Sequence, residues 1–345
     1  WAANTVSSAR GAIGEIFVNA APSVEPVDGR YNILLLGVDA GEDRDGLRPD
    51  SISLISVDAE TGQSLIVGLP RELVGMPFPE DSPMHEIHPN GYGVGPNQFT
   101  DWGGCNVGEA PFCRLNALNT EMTEFLSPTD DSQKYGAPLY PDAASRGSSP
   151  GIEATKDAVS GATGLEVQFY VLIDMDGFSS LIDALGGVDM TVEERLPIGG
   201  SIDEYTGELV GVEEWIEPGE HHLDGWHALW YARSRYGSSN GDYDRMERQR
   251  ELQAAILAQM KPANVLLRFQ EVAAVGTQLI ATDIPESMLG RFVDLATKSR
   301  EYDPVNVELV PPAIDPEYPD FAAMHELVAE GVAAASPSES ESVPE

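Results

Sequence analysis

From Tyr31 the chain turns apolar: YNILLLGVD is a continuous hydrophobic run of strand length, and SISLISVDA and SLIVGLP follow it. Short apolar runs bounded by turn residues read as strands. Gly62, in AETGQ, sits at the tip of the turn between the last two. Three consecutive strands are therefore predicted at about 31–38, 51–58 and 64–69. VQFYVLID (167–174), VDMTVEERLP and VNVELVP read as further strands. Elsewhere the period is helical. Leu115, Leu118, Met122 and Phe125 in RLNALNTEMTEFL fall at i, i+3, i+7 and i+10, along one helix face. Helices are also predicted at 151–164, 224–231, 244–260, 262–275 and 285–299, and in GFSSLIDALGG, stopped by Gly186 and Gly187. Residues 75–113 and 127–151, rich in Gly, Pro, Asp and Ser, read as long surface loops.

Strands alternating with helices make this an α/β protein, with a mixed central β-sheet sandwiched between α-helices in three layers. Residues 1–30 read as a weak helix and a Pro-bearing linker, 31–335 as one domain with a loop insertion at 75–113, and 336–345 as a disordered acidic tail. A length of 345 residues, 42% hydrophobic and 22% charged, is ordinary for a folded protein with a substantial core. The net charge of −37 argues strongly against a nucleic-acid binder, whose phosphate contacts need a basic face. It leaves room for a phosphate ligand held by a local arginine cluster. No stretch reaches the length of a transmembrane helix, and the chain begins at Trp1 with no signal peptide. The expectation is a mature form lacking an N-terminal targeting or anchoring segment. Cys105 and Cys113 lie close together in GGCNVGEAPFC. A disulfide pinning that loop, in an oxidising extracytoplasmic setting, is expected; two reduced thiols are the alternative.

Charge then changes the picture. If the first three strands form an antiparallel meander, the end of the first, the start of the second and the end of the third share one sheet edge. Asp39, Asp50 and Arg71 stand at those places, with Arg48 between the two carboxylates. Paired carboxylates suit Mg²⁺, which takes one or two of them plus phosphate oxygens. Neighbouring guanidinium groups suit a phosphate or pyrophosphate, gripped in two places. Turn aspartates with surface ion-pair partners are the alternative.

The second concentration is GDYDRMERQR, residues 241–250, with Arg233 and Arg235 just upstream in YARSRY. Asp244 reads as an N-cap with Glu247 three residues later, so a helix is predicted to start near Arg245 and to end at Met260 before Pro262. Arg245, Arg248, Gln249 and Leu252 then share one face, and Arg250 lies off it, as surface. Arginine in a first turn opposes the helix dipole, and a bound anion would reverse that. A lattice of surface salt bridges is the competing reading. With the sheet-edge aspartates added, the anion site is favoured. The pairs His85/His88 and His221/His222, with His227, lack a carboxylate frame and read as ordinary polar residues. No phosphate loop and no G-x-S-x-G elbow is present.

These blocks, in this order, resemble the LytR-CpsA-Psr family of bacterial cell-wall glycopolymer transferases, in its actinobacterial type. NILLLGVD, LRPDSISLISVDAETG and GLPREL are similar to the family's opening block, and RLNALNT to its Lys-Ile-Asn-Ala segment. IDMDGFSSLIDALGGVDM resembles its central block; LDGWHALWYARSR and DYDRMERQRELQAAI resemble its closing arginine blocks. The resemblance implies an enzyme on the extracytoplasmic face of the membrane, anchored by a helix outside this sequence. Its donor would be a glycan on polyprenyl (undecaprenyl) pyrophosphate, and its acceptor peptidoglycan or a protein, joined through a phosphodiester. A pyrophosphatase on the same donor and a non-catalytic lipid-pyrophosphate binder are the alternatives. Carried over, Asp39 and Asp50 would hold Mg²⁺ (or Mn²⁺), while Arg48, Arg71, Arg233, Arg235 and Arg245 would contact the pyrophosphate or order the site. Arg248 and Gln249 would complete the helix face, and Asp242 fits an acid just before it. Two departures stand out: Arg114 replaces the motif lysine among the substrate-binding residues, and Pro49 replaces a serine.

Overall fold

The structure, a computed structural model, describes residues 22–38, 48–93, 113–124, 133–203, 205–235, 242–259 and 280–337. The chain opens with β1 (Arg30–Val38), β2 (Pro49–Asp58) and β3 (Ser64–Leu69), followed by α1 (Pro83–Ile87), α2 (Leu115–Glu124) and α3 (Pro150–Thr163). Then come β4 (Phe169–Asp174), α4 (Met175–Leu185), β5 (Val188–Val192), β6 (Leu196–Ile202), β7 (Leu209–Ile216) and β8 (Gly219–Leu223). The rest comprises α5 (Gly225–Arg233), α6 (Asp242–Gln259), β9 (Ile280–Thr282), α7 (Leu289–Ser299), β10 (Val305–Glu308) and α8 (Phe321–Ala334).

The central sheet has the order β10-β3-β2-β1-β4-β9. β1, β2 and β3 form the expected antiparallel meander; β4 joins β1 and β10 joins β3 in parallel, and β9 is antiparallel to β4, so the sheet is mixed. Strand alternation sorts the side chains into two layers. Leu34, Leu36 and Val38 of β1 point into the larger core with Leu54, Val67 and Leu172, closed by Leu118, Ala158 and Met324 from α2, α3 and α8. Tyr31, Ile33 and Leu35 face the other side, where Phe169 packs with Leu295 of α7 and Ile173 with Phe178 of α4. A sheet covered on both faces explains why these strands read as continuous apolar runs.

Caps set the helix ends. Ser149 accepts from the Ile152 N–H ahead of α3, with proline in the first turn, and Gly164 takes the left-handed conformation behind it. Asp174 caps α4 and Asp224 caps α5 through the same kind of side-chain bond.

Several expectations need correction. VDMTVEERLP is two strands: β5 pairs with β8 and β6 with β7, because Val192 and Leu196 both turn into a satellite core around Ile182 and Tyr231. The segment 75–113 carries α1, capped by Ser82. β7, β8, β9 and α8 were not predicted. α6 begins at Asp242 rather than near Arg245, which places Asp244 inside the first turn, where a carboxylate suits the dipole. The predicted helix at 262–275 lies outside the described residues, as does most of the acidic tail. Cys113 is buried and is not a free thiol; Cys105 lies outside the described residues. Among the described residues, no helix is long and apolar enough to cross a membrane.

Leu36 is fully buried in the central strand. Leu36→Ala is expected to cost about 2–5 kcal/mol in denaturant unfolding. A loss of about 0.5 kcal/mol or less, typical of a surface site, would contradict this placement.

Candidate functional site

Pairing brings the first charged group to one place. Val38 ends β1 opposite Pro49, and Ile52 of β2 pairs with Leu69 at the end of β3. Asp50 and Arg71 therefore meet at one sheet edge, where the Arg71 guanidinium donates to the Asp50 carboxylate. Both side chains keep about a quarter of their surface exposed, at 24% and 28%. The Arg71 backbone is fixed in turn by α2, since Asn116 N–H donates to the Arg71 carbonyl (3.0 Å) and Leu115 N–H to that of Leu73 (2.8 Å).

α6 supplies the facing wall. Arg245, buried to 3% exposure, donates from Nη2 to the Asp50 carbonyl at 3.1 Å. Gln249 Nε2 donates to the Ala232 carbonyl at 3.1 Å. Arg248 Nε donates to the Tyr231 carbonyl at 3.1 Å, and its Nη2 to that of Ser234. Two residues of the arginine helix thus satisfy the open carbonyls at the C-terminal end of α5 and fix the two helices against each other. Between α6 and the β2–β3 edge lies a cleft lined by Asp50, Arg71, Arg245, Gln249, Arg250 and Gly68 among others.

The cleft gathers four of the residues expected from sequence: Asp50, Arg71, Arg245 and Gln249. Arg248 is placed on the carbonyls of α5, not on the cleft. Arg233 is exposed and stacks over the Trp230 ring at 4.9 Å, and Arg235 is exposed beyond α5. Arg114 is exposed and bridges Val74 just ahead of α2. Arg48, next to Pro49, has a buried Nε and faces the Glu121 carboxylate electrostatically. Asp39 lies outside the described residues, as does the side chain of Asp242.

Two charged residues were missed. Arg250 is not surface: it is buried, ion-paired with Glu308 of β10, and lines the cleft. It lies about 140° round the helix from Arg245 at 3.6 residues per turn, so single-face reasoning discarded it. α6 packs against the sheet as well as against α5, and Gly68 leaves the space the guanidinium fills. Glu121 of α2 is 3% exposed, and burial pushes its carboxyl up to about 8 despite the opposing Arg48 charge. Only its place on a helix with apolar neighbours hinted at this.

The histidines have other uses. His85 bonds the Phe78 carbonyl (3.1 Å), His222 the Asp189 carboxylate (2.6 Å) and His227 the Asp224 cap (2.6 Å). His88 is buried between the Phe78 and Tyr92 rings, and burial lowers it to about 4. Among the described residues no group of three or more His, Cys, Asp or Glu could cage a metal ion. The partly exposed Asp50 carboxylate instead fits a hard cation held by few protein oxygens and completed by a phosphate ligand.

Residues 138–315 match the LytR_cpsA_psr family. Over 158 residues the chain is 31% identical to the Biofilm regulatory protein A of Streptococcus mutans, covering 46% of this chain and 37% of that protein. Over 134 residues it is 28% identical to the Polyisoprenyl-teichoic acid--peptidoglycan teichoic acid transferase TagV of Bacillus subtilis, covering 39% of this chain and 33% of that one. The chain thus spans about a third of the length of these relatives. The crystal structure of B. subtilis TagV superposes with a TM-score of 0.54 at 17% identity, over 90% of this chain and 100% of that one, which shows the same fold.

The buried Glu121 carboxyl gives a pH signature. Its folded pKa, about 8, lies above the ordinary 4.5, so the folded state keeps a proton that the unfolded chain gives up. Its contribution is complete below about 4.5 and is lost as pH rises towards 8. Relative to wild type, Glu121→Gln is expected to gain stability steadily across that window in urea melts and then level off. A difference that stays flat from pH 4.5 to 8 would contradict the buried, raised carboxyl.

Proposed function

The chain belongs to the LytR_cpsA_psr family, and from that premise we propose that it is a glycopolymer phosphotransferase. It moves a glycan from a polyprenyl pyrophosphate carrier to a cell-wall hydroxyl, on peptidoglycan or a protein, through a phosphodiester. The observation that carries this reading is the Asp50–Arg71 pair facing Arg245 and Gln249 across one cleft, in a chain of net charge −37. A concentration of guanidinium groups in so acidic a protein suits a polyanionic ligand. The relative named as a teichoic acid transferase supports the same chemistry.

In the proposed reaction the acceptor hydroxyl attacks the sugar-linked phosphorus, forming one P–O bond as the bridging P–O bond breaks. The hydroxyl proton passes to a carboxylate, Asp50 or Asp242, and polyprenyl phosphate leaves with the electron pair. Negative charge grows on oxygens throughout. Arg71 and Arg245 are already oriented, one by the Asp50 carboxylate and one by the Asp50 carbonyl, so they meet that charge with little reorganisation. Arg248 and Gln249 act at one remove, holding α6 against α5 so that Arg245 keeps its aim. Arg48, Arg114, Arg233 and Arg235 would meet the more distant parts of the donor. Asp50, with Asp39 directly after Val38, would hold Mg²⁺ (or Mn²⁺), which supplies positive charge to the bound phosphates.

The reading includes a site on the extracytoplasmic face of the membrane, with an anchoring helix outside this sequence. The Cys105–Cys113 disulfide belongs to the same proposal, since the chain has two cysteines and Cys113 is not a free thiol.

Asp50→Ala and Arg71→Ala are each expected to lower transfer from a lipid-linked donor by about 10²–10³, the cost of removing an oriented charge-stabilising group. Product analysis separates glycan transfer from simple release of lipid phosphate. Wild-type transfer by both variants, with unchanged thermal melts, would overturn the assignment.

A further inference from the structure

Arg250 carries an oddity that the reaction outlined above does not use. Its side chain is 3% exposed, and one edge of the guanidinium, Nη2, is ion-paired with Glu308. The other terminal nitrogen, Nη1, is buried and has no hydrogen-bond partner among the described residues. A buried charged donor left unmade is expensive, and native proteins usually fill such a position with a water, an ion or a ligand. A purely structural arginine would be expected to spend both edges on protein acceptors, as Arg30 does with Ser56, Gln63 and the Ala335 carbonyl.

The neighbouring strand is shaped for this group. A Cβ at residue 68 would lie 2.8 Å from Arg250 Nη1 and 3.2 Å from its Cδ. Gly68 lies within β3 and is not among the glycines with a positive φ, so close approach, not conformation, requires glycine there. Gly68 pairs with Ser53, one step inward from the Ile52–Leu69 pair beside Asp50 and Arg71. The Arg250 guanidinium therefore stands deeper along the same cleft than the Asp50–Arg71 pair. Glu308 holds it from outside the lining.

We propose that Arg250 is a second anion contact, at the inner end of the cleft, whose Nη1 edge binds an oxygen of the second phosphate of a pyrophosphate group. The inference rests on the functional reading above and makes it more specific. One grip at the mouth, through Arg71 and Arg245, and one further in, through Arg250, select a two-phosphate ligand over a monophosphate. Glu308 fixes the guanidinium plane and neutralises part of its charge, leaving the Nη1 donor for a phosphate oxygen to accept from.

The test uses inorganic pyrophosphate and inorganic phosphate as probes, with Mg²⁺ present, and calorimetric binding to the full chain. Arg250→Lys keeps the charge but loses the fork. It is expected to weaken pyrophosphate on the order of ten- to a hundredfold, the worth of a hydrogen bond to a charged group, while phosphate changes little. Gly68→Ala removes no charge and displaces the guanidinium; it is expected to shift the same preference in the same direction. Pyrophosphate binding like wild type in both variants, or equal losses for the two probes, would overturn the assignment of Arg250 alone. A wild-type chain that binds neither probe would overturn the functional reading and this inference with it.

Discussion

Antiparallel pairing of β1, β2 and β3 is the constraint on which the candidate site depends. Because the meander reverses twice, the end of β1, the start of β2 and the end of β3 must lie at one edge of the sheet. Residues far apart in the chain, Asp50 and Arg71, become ion-pair partners through backbone register before any side chain chooses a conformation. A slip of one residue between β2 and β3 would turn their apolar side chains out of the two cores. The cores that bury Leu54 and Val67 on one face and Val57 on the other thus hold the charged edge in place.

α6 meets that edge at a part of the sheet face that is not apolar. Ser53 and Gly68 are cross-strand partners there, and Gln253 donates to Ser53 Oγ at 3.2 Å. Burying Arg245, Arg248 and Arg250 in one helix opposes folding unless each guanidinium is compensated. Arg248 is compensated by α5 carbonyls, Arg245 in part by the Asp50 carbonyl, and Arg250 in part by Glu308. The helix is therefore tied to three elements, α5, β2 and β10, by the same residues that give the cleft its charge. Stability and a positive site share one set of side chains.

Much of this was legible in the sequence, for identifiable reasons. A sheet covered on both faces produces unbroken apolar runs, so β1 to β4 could be read directly, and the stop glycines Gly186 and Gly187 marked the end of α4. The β6–β7 hairpin could not, because LVGVEEWI keeps little of its surface buried and lacks a clean alternation. α8 was hidden by its small residues, which make a weak pattern yet allow close packing: a Cβ on Gly331 would lie 2.7 Å from Val307 Cγ2. At the site, Asp50, Arg71, Arg245 and Gln249 followed from strand ends and helix spacing. Arg250 and Glu121 did not, since their burial comes from neighbours distant in sequence. Arg248 had the right helix position for the cleft, and the end of α5 took its hydrogen bonds.

The most direct test is a crystal structure of the chain with a polyprenyl pyrophosphate and Mg²⁺. The expected result is pyrophosphate density in the cleft between α6 and the β2–β3 edge, with phosphate oxygens within hydrogen-bond reach of Arg71, Arg245 and Arg250. Clear density for the ligand elsewhere on the molecule, with that cleft closed or filled by protein, would contradict it.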